Sequence, residues 1–263
     1  MIHIGIDSGS TITKLAAVGG GEVIFKRSAP TGTDPISSGK TLLAQALVSP
    51  ELAGGETPLV CLTGYGRRIL SGLGIQKTEI SCHALGAHKL IDTNEQFILL
   101  DIGGQDSKAI KVDPAGKAAD FAMNDKCAAG TGRFLEVISR TLGFGIEGLS
   151  EAALTSRREA RLSSMCTVFA DSEAVSLIAR GEKPEEIAWA ACFAVAERCA
   201  GLVKRVGLNA SDNTACKTLV FTGGVSRIPA VAEALREILG TEVMVPPMAE
   251  YSGAVGAALF ASR

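Results

Sequence analysis

The sequence predicts an α/β protein built as two similar lobes. Three observations carry that prediction. Strand-like apolar runs alternate with helical ones along the chain, the pattern of strands joined by crossover helices. A strand–turn–strand unit near the N-terminus recurs at a constant offset of 94 residues. In both copies the first strand ends in Asp-x-Gly, at Asp7 and again at Asp101.

The elements follow in order. Residues 2–6 alternate as a strand and stop at Asp7-Ser-Gly-Ser-Thr. Residues 14–18 resume a strand, Gly19-Gly20-Gly21 marks a turn, and 22–26 pair back as a hairpin. Residues 28–39, rich in Pro, Gly, Ser and Thr, read as a loop. A helix is expected over 41–47, a buried strand over 59–63 and a short helix over 67–73. The second half opens the same way: a strand over 96–100, the turn Asp101-Ile-Gly-Gly-Gln-Asp106, a strand over 107–112 and a hairpin turn at 114–116. Helices are expected at about 130–142, 169–180, 184–206 and 228–239. A strand over 218–221 ends in Thr222-Gly-Gly224, a short strand covers 242–245, and 252–261 form a small-residue helix.

The repeat matches Asp7 with Asp101, Gly9 with Gly103, Thr13 with Ser107 and Lys14 with Lys108, and the hairpin turns stay in register. A strand ending in Asp-x-Gly makes a tight turn in which glycine lets the backbone approach a ligand. Successive N–H groups then form a concavity for phosphate oxygens. Ser10, Thr11 and Thr13 add hydroxyls on one side; Gly103, Gly104 and Asp106 shape the other. A carboxylate beside polyphosphate needs a cation between them, so Asp7 and Asp101 are candidate ligands, direct or through water, of a mostly hydrated Mg²⁺. Gln105 is placed to orient an attacking water. Lys14 and, less favourably, Lys108 are in reach of a phosphate. A third strand-end turn, Gly223-Gly224, would accept adenosine. Either Asp-x-Gly alone would read simply as a good turn; the pair plus the third turn favours a nucleotide site holding ATP or ADP between the lobes.

Other signals are weaker. Ser38-Gly39-Lys40-Thr41 looks like the end of a P-loop, but position 34, where that motif needs glycine, is Asp. Gly64-Tyr-Gly66 lacks the third glycine of a dinucleotide fingerprint. A net charge of −2 gives no basic footprint for nucleic acid or for a membrane surface. No apolar run approaches the roughly 20 residues of a spanning helix, and MIHIGIDSGS lacks the features of a signal peptide, so a cytoplasmic protein is expected. Seven cysteines, an odd and scattered set, read as reduced thiols, some of them candidate metal ligands.

The paired turns and the late Gly-Gly resemble the actin, sugar-kinase and chaperone ATPase superfamily. Longer motifs narrow the resemblance: Thr63-Gly-Tyr-Gly-Arg67, Glu79-Ile-Ser-Cys-His83, Asp101-Ile-Gly-Gly-Gln-Asp106, Asn124 through Phe134, Cys166-Thr-Val-Phe-Ala-Asp-Ser-Glu173 and Tyr251-Ser-Gly-Ala-Val-Gly256. Together they resemble the activators of 2-hydroxyacyl-CoA dehydratases, in the BadF/BadG/BcrA/BcrD ATPase family. The resemblance implies a two-lobed actin-like ATPase: lobe I over 1–95 with the 250–263 helix packing back on it, and lobe II over 96–249. It further implies a homodimer with one bridging 4Fe–4S cluster, held by Cys127 and Cys166 of each subunit. ATP binding and hydrolysis would change the dimer geometry. An electron from reduced ferredoxin or flavodoxin would then pass to an iron–sulfur dehydratase.

Within that resemblance the residues agree. Four thiolates suit such a cluster, and a two-fold interface presents the same pair twice. Both cysteines fall just before expected helices, where N–H groups stabilise anions. Of the rest, Cys192 and Cys199 have core spacing on one helix, Cys61 is mid-strand, Cys216 falls in a loop and Cys82 has no assigned role. His3, His83 and His88 read as structural. Rival readings are an electron donor to a benzoyl-CoA-type or double-cubane-cluster reductase, a small-molecule kinase of the superfamily, and a non-enzymatic actin-like sensor.

Overall fold

A computed structural model describes residues 1–52, 57–124, 128, 130–156, 158–162, 167–208, 216 and 218–262. These divide into two compact units: residues 1–96, 112–119 and 246–263, and residues 97–111 and 120–245.

In the first unit β1 (Ile2–Ser8), β2 (Ile12–Gly19), β3 (Glu22–Pro30), β4 (Leu59–Thr63) and β5 (Ile75–Gln76) form one sheet in the order β3-β2-β1-β4-β5. β1 runs antiparallel to β2 and parallel to β4. Strand alternation assigns the faces. Ile4, Ile6, Leu15, Ala17 and Leu62 gather with Leu42 and Ala46 of α1 (Pro35–Leu47). Residues between them face the other way. Cys61 meets Cys82 of α2 (Glu79–Ile91), and Ala16 meets Ala254 and Val255 of α8 (Ser252–Ala261). The crossing of α2 and α8 admits no side chain: a Cβ on Gly86 would fall 1.8 Å from the Ser252 carbonyl oxygen, and one on Gly256 1.8 Å from that of Cys82.

Three local outcomes differ from the sequence expectations. α1 begins within the segment read as a loop, because Asp34 caps the N–H groups of Ile36 and Ser37 and Pro35 opens the helix. α2 and α4 (Ile146–Thr155) have no counterpart in the expectations. In α2 the buried residues run continuously from Cys82 to Ala87, which hides the helical stripe; the Thr78 cap is its readable signal. The expected helix at 67–73 is two 3₁₀ turns, Tyr65–Arg68 and Ser71–Leu73, in a segment punctuated by Gly64, Gly66, Gly72 and Gly74.

The second unit repeats the sheet. β6 (Phe97–Ile102), β7 (Ser107–Val112), β8 (Ala118–Asn124), β9 (Leu219–Thr222) and β10 (Val243–Met244) lie in the order β10-β9-β6-β7-β8. β9 runs parallel to β6 and to β10, as β4 does to β1 and β5. The duplication therefore spans all five strands, not the two turns alone. Helices α3 (Gly132–Thr141), α4, α5 (Thr167–Ala179), α6 (Pro184–Arg205) and α7 (Pro229–Leu239) complete the unit. α6 is its core helix and buries Trp189, Cys192, Val195 and Cys199. Among the described residues no helix is long and apolar enough to cross a membrane.

Candidate functional site

The first unit ends β1 at Asp7 and Ser8, both buried, and turns through Gly9, Ser10 and Thr11 into β2. Ser10 and Thr11 are exposed at the tip. Thr13 is buried, with its hydroxyl 3.0 Å from that of Thr31. Thr31 donates its single hydroxyl proton to the Gly9 carbonyl at 2.7 Å, so the proton shared with Thr13 is Thr13's own. Thr13 therefore braces the turn through Thr31 and keeps no proton for a phosphate. The Thr31 N–H ties in Thr11 by its carbonyl at 2.9 Å. Lys14 lies opposite Asp7 in the β1–β2 register and is half-buried.

A second loop closes on the Asp7 carboxylate. β4 ends at Thr63, and Gly64 adopts φ 86°. A Cβ there would fall 2.6 Å from Asp7 Oδ1 and 2.5 Å from the Ser8 carbonyl oxygen. On the other side a Cβ on Gly253 would fall 2.6 Å from Asp7 Oδ2. His83 of α2 is buried here, with Nε2 3.8 Å from Asp7 Oδ2 and Nδ1 3.1 Å from Ser252 Oγ.

The second unit makes the same turn with different supports. Asp101 ends β6 fully inside; its Oδ1 accepts from Thr222 Oγ1 at 2.9 Å. Lys108 Nζ stands 3.9 Å from Asp101 Oδ2 and 2.6 Å from Asp106 Oδ2. Lys108 is buried, so its ammonium serves as counter-charge to these two carboxylates. The turn closes through the Gly103 N–H and the Asp106 carbonyl at 2.9 Å. Gly103 and Gly104 then accept, through their carbonyls, the N–H groups of Gly132 and Arg133, each at 2.9 Å. The turn is thus bonded to the first residues of α3. Gln105 is exposed at the tip. After β9, Gly223 takes φ 88° and Gly224 is exposed; a Cβ on Gly223 would strike the Ile102 carbonyl oxygen at 2.3 Å. Thr63-Gly64 in the first unit and Thr222-Gly223 in the second are therefore the same device. The sequence hides the match because Gly64 is followed by Tyr65 where Gly223 is followed by Gly224.

Cys127 and Cys166 lie outside the described residues. The Gly130 carbonyl accepts from the Cys199 thiol at 3.5 Å, α3 opens at Gly132, and α5 opens at Thr167, directly after Cys166. A helix N-terminus favours an anion placed just before it. The other five cysteines are buried free thiols. Burial pushes Cys192 and Cys199 up to about 12. Hydrogen bonding to Cys61, and then burial, pushes Cys82 up as well. Among the described residues no group of three or more His, Cys, Asp or Glu could hold a metal ion.

Comparison with known proteins follows the same lines. The model of the BadF/BadG/BcrA/BcrD ATPase family matches residues 4–261. The chain belongs to that family. It is 44% identical to the uncharacterized protein YjiL of Escherichia coli, over 99% of this chain and 96% of that one. It is 39% identical to the (R)-2-hydroxyglutaryl-CoA dehydratase activating ATPase of Acidaminococcus fermentans, over 99% and 96%. A solved structure, the activator of the 2-hydroxyisocaproyl-CoA dehydratase from Clostridium difficile with bound ADPNP, superposes at TM-score 0.86 and 36% identity, covering 99% of this chain and 94% of that one. A likeness of fold alone extends to ROK hexokinase from Thermus thermophilus, which matches at TM-score 0.52 and 20% identity, over 98% of both chains. This family member is thus an α/β protein of the duplicated, two-lobed actin-like ATPase fold.

Proposed function

We propose that this protein is the ATP-driven activator of a 2-hydroxyacyl-CoA dehydratase, to which it passes a low-potential electron. The observation that carries the reading is the bond between the Gly103–Gly104 carbonyls and the start of α3, the helix that follows Cys127. A displacement of that turn on nucleotide binding or hydrolysis pulls directly on Gly132 and Arg133. Relatives support the reading, since an activating ATPase is 39% identical and a solved activator holds ADPNP.

The roles follow from the geometry. Backbone N–H groups around Gly9, Ser10 and Thr11, and of Gly104 and Gln105 in the turn that Gly103 closes, bind phosphate oxygens of ATP or ADP. The Ser10 and Thr11 hydroxyls add donors, and Lys14 adds charge. Asp7 and Asp101 orient the water shell of Mg²⁺, Gln105 positions the attacking water, and Asp106 holds Lys108 in the turn. Gly223 and Gly224 give adenosine a bare backbone to lie against. One 4Fe–4S cluster per homodimer, bound by Cys127 and Cys166 of each subunit, would supply the one-electron redox centre. Ferredoxin or flavodoxin is the donor, the acceptor is an iron–sulfur dehydratase or a related benzoyl-CoA-type reductase, and the setting is the cytoplasm.

Anaerobic purification followed by iron analysis and EPR, with and without ATP, tests this. Four irons per dimer and a signal that changes with ATP are expected, both lost in Cys127→Ala and Cys166→Ala. A colourless protein, or iron that survives both substitutions, overturns the proposal.

A further inference from the structure

The two carboxylates that end β1 and β6 are matched in sequence but not in surroundings. Asp101 receives a hydroxyl hydrogen bond from Thr222 and faces the ammonium of Lys108. Asp7 has Lys14 opposite it in register, yet the group that reaches its Oδ2 is the imidazole of His83, brought by α2. We propose that Ser252, His83 and Asp7 form a positioning relay, in which the Ser252 hydroxyl donates to His83 Nδ1 and His83 carries its proton on Nε2, aimed at Asp7 Oδ2. The proposal rests on the ATPase reading only for its consequence, the orientation of Asp7 toward hydrated Mg²⁺.

The tautomer follows from what surrounds the ring. His83 and Ser252 are both buried and 3.1 Å apart, and a serine hydroxyl can act either way in that bond. Were the proton on Nδ1, the Nε2 lone pair would face a buried carboxylate across 3.8 Å, setting two electron-rich groups against each other. With Ser252 as donor the proton moves to Nε2 and the same approach becomes attractive. Cys82 on α2 itself and its hydrogen-bond partner Cys61 on β4, which that bond pushes down, are among the ionisable groups nearby. Cys82 is held as a thiol by its hydrogen bond with Cys61, by burial and by Asp7, so it brings no charge to compete with the imidazole. Gly253 keeps the corner open: a Cβ there would fall 2.6 Å from Asp7 Oδ2 and 2.8 Å from His83 Nε2. The 3.8 Å separation is long for a finished hydrogen bond, and such bonds commonly tighten only when ligand is bound. His83 is thus a positioning residue. It fixes Oδ2, which leaves Oδ1, on the Gly64 side, to hold the metal's water.

Both ends of the relay sit in the sequence motifs Glu79-Ile-Ser-Cys-His83 and Tyr251-Ser-Gly-Ala-Val-Gly256.

The chain has three histidines, so its two-bond ¹H–¹⁵N spectrum is simple, and His83 is assigned by the signal missing from His83→Gln. The wild-type ring is expected as the Nε2–H tautomer, and Ser252→Ala is expected to give a tautomer mixture. An Nδ1–H wild-type ring overturns the proposal. The consequence is read by MgADP binding as Mg²⁺ is titrated, in variants matched for melting temperature. A Gln amide stands near the ring's Nε2, an Asn amide near Nδ1. His83→Gln is therefore expected within about threefold of wild type and His83→Asn about 10–100-fold weaker, the usual range when a supporting partner of a metal ligand is lost. Equal affinities in the two variants overturn it. A wild-type protein that shows the Nε2–H tautomer yet binds no MgADP leaves the relay standing and removes the ATPase reading instead.

Discussion

Gly132→Pro isolates the link between the second phosphate turn and α3. Gly132 is the first residue of α3, and its N–H donates to the Gly103 carbonyl at 2.9 Å. Proline lacks that N–H, yet the first helical position is where it is best tolerated. Thr131 before it is already extended, at φ −135° and ψ 171°, as a residue before proline must be. Proline's Cδ takes the place of the N–H hydrogen, so the Gly103 carbonyl, its oxygen 2.9 Å from that nitrogen, must also move aside. The substitution thus removes one bond and pushes the Gly103 carbonyl away from α3, at the helix position that tolerates proline best. A backbone hydrogen bond contributes about 1 kcal/mol, or about fivefold in an equilibrium constant. Amide hydrogen exchange across α3, with and without MgADP, is the assay. In the wild type, nucleotide is expected to slow exchange at the start of α3. In the variant that added protection falls by at least about fivefold, with helix content by far-UV circular dichroism unchanged. Equal nucleotide-dependent protection in both proteins would refute the coupling argued from this bond.

Further tests use the duplicated positions. Thr222→Val removes the hydroxyl that serves the Asp101 carboxylate, and urea midpoints should fall by the equivalent of about 1.5–3 kcal/mol. Thr63→Val removes a buried hydroxyl that, among the described residues, meets only the weakly bonding Cys82 thiol, so a change within about 0.5 kcal/mol is expected; equal losses at both sites would sink the comparison. Cys192, raised from 9.0 to about 12 by burial, keeps its proton in the fold while the unfolded chain releases it. Stability must then fall as pH rises from about 9 toward 12, and Cys192→Ala should flatten that slope in urea titrations; parallel slopes refute it. Gly253→Ala places a carbon 2.6 Å from Asp7 Oδ2, and calorimetry should show MgADP affinity down at least about tenfold with α8 intact.

Much of this fold was legible because its signals are local. The alternating strands around Asp7 and Asp101, the hairpin glycines and the helices after Pro184 and Pro229 all carry their cause in adjacent residues. α2 was not legible, since a helix buried from Cys82 to Ala87 shows no polar face to set its period. The site divides the same way. The turn residues could be named from spacing, but their supports come from far along the chain. Thr31 braces Gly9 from a segment that reads as loop, and Ser252 meets His83 across 169 positions of sequence. Thr13 shows the limit most clearly. Its type and place suggested a phosphate donor, and only the count of protons between Thr13, Thr31 and Gly9 shows that its proton is already committed.

The two units also show why a duplicated turn need not stay symmetric. A buried carboxylate must be matched by donors or charge. In the second unit the match is internal: Thr222 donates, and Lys108, itself buried, neutralises Asp101 together with Asp106. In the first unit no Lys or Arg among the described residues comes within ion-pair range of Asp7; its neighbour is a histidine, charged only when protonated. A neutral His83 leaves Asp7 a carboxylate with unmet demand for a cation, while Asp101 is already matched without one. The hydrated metal of a bound nucleotide should therefore depend more on Asp7 than on Asp101. Asp7→Asn is then expected to weaken Mg²⁺ dependence of nucleotide binding more than Asp101→Asn does, while Asp101→Asn, which takes one of two carboxylates from a buried Lys108 and the acceptor from Thr222, costs more in folding stability. Mg²⁺ titrations and urea midpoints on the two variants measure both halves, and a reversed order in either would show that the asymmetry of these supports does not govern the site.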